Sequence, residues 1–81
     1  MTLDNAGPAR KQLSQAVATD LIWAYAEERD AVEHVRVRIG TGEMTVVLFI
    51  RSADEKVAQD QAVEIVNRAI RAPALDGWRI R

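Results

Sequence analysis

The stretch from Val35 to Arg51, V-R-V-R-I-G-T-G-E-M-T-V-V-L-F-I-R, constrains the chain more than any other. Val35, Val37 and Ile39 alternate with Arg36 and Arg38, the period-2 pattern of a strand with one buried face. Gly40-Thr41-Gly42 supplies a tight turn in which either glycine can take φ > 0. The return strand, Glu43 to Arg51, contains Val46-Val47-Leu48-Phe49-Ile50, apolar on both faces. Such a run suits the middle of a sheet or the seam of an assembly better than a solvated edge. A β-hairpin is therefore the fixed point around which the rest must pack.

Helical patterns flank it. Upstream, residues 1–6 are expected to be disordered, and Gly7-Pro8 marks a helix start, since proline is tolerated at the first helical position. From there to about Arg29, Leu13, Val17, Leu21, Ala24 and Tyr25 form one apolar stripe. Ile22 falls on the far side with Ala18 and Ala26, and Trp23 sits at the stripe's edge. Two large apolar neighbours away from the core make Ile22 and Trp23 a secondary interface candidate. Glu27, Glu28, Asp30 and Glu33 match no metal-ligand spacing and read as a solvated acidic corner. Downstream, Ser52-Ala-Asp-Glu55 has the S-x-x-E form of a capping box. The helix it opens runs to about Ala72, with Ala58, Ala62, Ile65, Val66, Ala69 and Ile70 on one face and Pro73 as its stop. Trp78-Arg-Ile-Arg81 reads as a short closing strand.

The expected fold class is α+β: a two-layer sandwich of order α-β-β-α-β, with a three-stranded sheet in order 1-2-3 and both helices on one face. The last strand should run parallel to, and beside, the second through a right-handed crossover. Val35, Val37, Ile39, Val46, Leu48, Ile50, Trp78 and Ile80 would then face the helices. This order resembles a ferredoxin-like fold lacking its first strand, and a reduced form of the type II KH arrangement. The G-x-x-G loop that marks the KH family is missing from the sequence, and fold-level likeness implies no function.

Eighty-one residues make a single small domain spanning 1–81. A chain of this size buries only about 60–65% of its unfolded surface, so self-association would add stability. With no cysteine, there is no disulfide framework or thiolate metal site. The amino-terminal residues lack the features of a signal peptide, and no apolar run approaches the roughly 20 residues of a membrane span, so a cytoplasmic location is expected. A net charge of −1 argues against a strong global field.

Two layers leave one sheet face open. The alternation places Arg36, Arg38, Thr45, Val47, Phe49, Arg51, Arg79 and Arg81 on it, with Phe49 at its centre. The candidate interface or binding face is thus Arg36, Arg38, Val47, Phe49, Arg51, Arg79 and Arg81. The leading expectation is a non-catalytic protein-interaction module, a small accessory or adaptor domain that self-associates through this face and contacts itself or another protein. The alternative is a nucleic-acid or anionic-ligand platform, in which guanidiniums pair with phosphates and Phe49 stacks on bases. No catalytic, cofactor or metal residues are expected. The sole histidine, His34, has no nucleophile motif near it, and Gly40-Thr41-Gly42 lacks the length and lysine of a phosphate loop.

Overall fold

The computed structural model describes residues 1–5 and 13–81. The chain runs β1 (Thr2–Asn5), α1 (Gln15–Tyr25), β2 (Val32–Gly40), β3 (Glu43–Ile50), α2 (Glu55–Ile70) and β4 (Trp78–Ile80). Single 3-10 turns, Glu28–Asp30 and Pro73–Leu75, lead into β2 and β4. The protein is a small α+β domain with a four-stranded, wholly antiparallel sheet in the order β2-β3-β1-β4. This is the β-α-β-β-α-β arrangement of ferredoxin-like folds.

The expected three-stranded sheet is therefore corrected to four. The added strand comes from residues expected to be disordered: Thr2–Asn5 pairs with Glu43–Thr45 on one side and Trp78–Ile80 on the other. Leu3, only 1% exposed, sits opposite both Met44 and Ile80 and plugs the middle of the core. β4 runs in the same direction as β3, as the crossover requires, but β1 lies between them. The expected order 1-2-3 fails on adjacency, not on direction.

The hairpin forms as the alternation dictates. Val35 and Val37 of β2 and Met44 and Val46 of β3 are buried, while Arg36, Arg38, Val47 and Phe49 are exposed. Gly42 takes φ 67° at the second position of the two-residue loop, where open space surrounds it, so backbone freedom alone demands glycine there. Ala31 also has positive φ, 52°. Its αL conformation is held by its N–H to the Glu28 carbonyl at 3.1 Å and by the Arg51 N–H to its own carbonyl at 2.9 Å.

α2 buries Ile65, Val66 and Ala69, on the expected face. Its start differs from expectation. Asp54, not Ser52, is the N-cap: its Oδ1 accepts from the Lys56 N–H at 2.9 Å and the Val57 N–H at 3.4 Å. Ser52 braces the turn one step earlier, its Oγ accepting from the Asp54 N–H at 3.2 Å. An aspartate at N-cap satisfies two orphan donors and adds charge at the positive end of the helix dipole. Asp54→Ala is expected to cost about 0.5–2 kcal/mol in urea unfolding, and Ser52→Ala less. The reverse order would return the cap to Ser52.

α1 is shorter than the pattern suggested. Leu13 precedes the helix, and Ser14 caps it, with its Oγ accepting the Val17 N–H at 3.0 Å. The Gly7-Pro8 start lies outside the described residues. Its buried residues are Ala18 (0%) and Ile22 (1%), while Val17 is 47% exposed. The inward face is thus rotated from the expected stripe, because alanine at 18 lets α1 approach β2 and α2 closely.

Candidate interaction face

Four strands order the open face into cross-strand rows. His34 of β2 stands beside Phe49 of β3, Arg36 beside Val47, and Arg38 beside Thr45, which in turn faces Thr2 of β1. The last row places Glu43 beside Asp4, and Asp4 beside Arg79 of β4. Arg81 follows β4, its N–H donating to the Thr2 carbonyl at 2.8 Å.

The seven residues expected to share one patch do not form one. Arg36, Arg38, Val47 and Phe49 gather on the β2–β3 half. Arg79 and Arg81 belong to the opposite edge, three strand spacings or about 14 Å from the β2 strand that carries Arg36 and Arg38. That exceeds the roughly 8 Å over which exposed charges act at physiological salt. Arg81 is also engaged: its Nε and Nη2 donate to the two Asp4 carboxylate oxygens at 3.0 and 2.7 Å, and Glu43 lies 3.8 Å away. Arg51 is exposed one residue beyond β3. Phe49 is not central, since β1 stops short of its row. It occupies a corner, with the His34 ring tilted against it at a centroid distance of 5.6 Å.

The secondary candidate divides. Ile22 is a core residue and is withdrawn as an interface residue. Trp23, 41% exposed, remains on the outer side of α1.

The acidic corner is also not simply solvated. Asp30 is 6% exposed and joins two elements. Its Oδ2 accepts from the Glu27 N–H at 2.8 Å and from Arg68 Nη2 of α2 at 2.9 Å. Arg68 Nη1 reaches Glu27, which also pairs with Arg29 at 2.8 Å. Burial pushes the Asp30 carboxyl up, but the Glu27 N–H and the Arg68 guanidinium more than offset this and hold it below its ordinary value. The hydrogen bond from Arg81, against a smaller effect of burial, likewise lowers Asp4. A carboxyl lowered on folding stabilises fully above its unfolded value of about 3.9 and loses that contribution as pH falls toward the folded value. Asp30→Ala is expected to cost about 1.5–3 kcal/mol at pH 7. Asp30→Asn should flatten the fall in urea midpoint between pH 5 and pH 2–3 (about one unit either side of that value). An unchanged fall would remove the Asp30–Arg68 link from the account of acid sensitivity.

Among the described residues, no group of three or more His, Asp or Glu side chains is placed to hold a metal ion. None of their helices is long and apolar enough to cross a membrane. No family model matches the chain, and no match to it was found among curated proteins or solved structures.

Proposed function

We propose that the protein is a non-catalytic interaction module that self-associates through the β2–β3 half of its open sheet face. The observation that carries this reading is the pair Val47 and Phe49, 39% and 46% exposed on a sheet face that no helix of the described residues covers. Burying them would supply apolar area that a chain of this size is short of.

A second copy suits the face by charge. Arg36 and Arg38 lie toward one side of it, Glu43 and Asp4 toward another. A two-fold axis running along β3 sets Val47 and Phe49 against their own copies. It also carries Arg38 of each chain over Thr2 and toward Asp4 of the other. Pairing through the free β2 edge is disfavoured by the same arginines. Antiparallel β2–β2 registers centred on Arg36, Val37 or Arg38 set these arginines against Arg36 or Arg38 of the copy, and like charges opposite each other destabilise a ladder.

The alternative is an anionic ligand or nucleic acid. It draws on Arg36 and Arg38, which have no carboxylate within ion-pair distance among the described residues. Light scattering over a concentration series tests the leading reading: the mass should rise toward twice the chain mass of 9.0 kDa. A monomer at every concentration overturns it. An oligonucleotide titration with strong, salt-sensitive binding would instead favour the alternative.

A further inference from the structure

β3 outruns β1. Pairing between them covers Thr2 to Asp4, and beyond it Met1 exchanges both backbone bonds with Val46, at 3.0 and 2.8 Å. The Val46 N–H and C=O therefore point to the β1 side. Strand alternation points those of Leu48 and Ile50 the same way, whereas the Arg51 N–H points oppositely, to Ala31 of the β2 side. Among the described residues, nothing bonds Leu48 or Ile50 on the β1 side.

Beside this open edge runs a groove of about 650 Å³ between β3 and the first half of α2. Leu48 and Ile50 form its floor, and Ala58 and Ala62 its wall. The cause lies in α2, whose buried residues fall in its second half, while its first half lines the groove with Glu55, Ala58, Gln59 and Ala62 and no large apolar side chain. Glu33 and Glu55 line the groove toward Ile50, the Met1 ammonium lies at its other end against the Val46 carbonyl, and no lysine or arginine lines it.

We propose that this notch docks an extended strand of another protein, added to β3 in line with β1. Free N–H and C=O groups two residues apart on a strand are matched by another strand's backbone. Parity then sets the side chains. The residue opposite Leu48 points to the helix side, as Leu3 does opposite Met44, and enters the groove between Ala58 and Ala62. The residue opposite Ile50 points the same way, toward Glu33 and Glu55, and the one between them points to the open face. Running antiparallel to β3, the docked segment reads basic, any residue, large apolar. This proposal does not rest on the self-association reading.

The probe is the peptide acetyl-Thr-Arg-Thr-Leu-amide, titrated into the full chain and followed by amide NMR. Saturable shifts centred on Leu48 and Ile50 are expected, with slowed hydrogen exchange at both. Replacing the peptide's second threonine with N-methyl-alanine leaves an outward-facing position and should change affinity little. N-methylating the leucine removes the N–H aimed at Leu48 and should weaken binding about tenfold, the equivalent of about 1.4 kcal/mol. Ala62→Phe, which fills the groove from an exposed helix half, should abolish binding. Glu55→Lys should weaken it severalfold. Absence of saturable shifts up to about 10 mM peptide, a bound of roughly −2.7 kcal/mol, would overturn the proposal. So would binding indifferent to the leucine methylation, or shifts centred on the Arg36–Phe49 corner instead.

Discussion

Ile22→Ala is expected to lower unfolding free energy by about 2–5 kcal/mol. Ile22 is 1% exposed and lies one turn from Ala18, which is fully buried, so α1 meets β2 and α2 through these two positions. Truncation removes the larger of them and leaves a cavity that alanine at 18 cannot fill. Trp23→Ala, on the adjacent position, should cost less, about 0.5–1 kcal/mol, because Trp23 is 41% exposed where Ile22 is 1%. Urea unfolding of the two variants measures the contrast. Equal losses, or a greater loss at Trp23, would mean that α1 packs through the stripe of Val17 and Ala24 instead.

Phe49→Glu should abolish self-association while leaving the protomer folded. Phe49 is nearly half exposed in the single chain, so a charge there is solvated and should change protomer stability by about 0.5 kcal/mol or less. In a face-to-face pair the same carboxylate would meet its own copy in a desolvated apolar contact, where an unpaired charge costs several kcal/mol. Light scattering should therefore report the monomer mass at concentrations where the wild type is dimeric, with an unchanged urea midpoint. A dimer that survives the substitution would move the seam elsewhere, and exposed Trp23 on α1 is then the next surface to test.

Much of the scaffold was legible because it depends on short-range pattern. The alternation from Val35 to Ile39, the glycine turn and the buried face of α2 each follow from residues a few positions apart. The parity of Val47 and Phe49 is equally local, so their placement on the uncovered face came directly from Leu48 and Ile50 pointing the other way. β1 was not legible. Four residues carrying one large apolar side chain, Leu3, have no periodicity to detect, and they become a strand only because β3 and β4 offer edges on both sides. The α1 face is not legible in the sequence, because Ala16, Val17, Ala18, Leu21, Ile22, Trp23 and Ala24 leave little polar contrast around the helix.

The site divides along the same line. Local alternation determined which side chains point away from the helices. Insertion of β1 decided which of them are neighbours, placing Asp4 beside Arg79 and against Arg81, and turning a single arginine face into an apolar corner and a neutralised edge. Asp30 and Arg68 are 38 positions apart, and their pairing exists only because the turn before β2 lies against α2. Hydrophobic period and turn chemistry act over one or two turns of chain. Strand order and long-range ion pairs depend on which distant surfaces become adjacent when the core closes, and that is a property of the packed molecule.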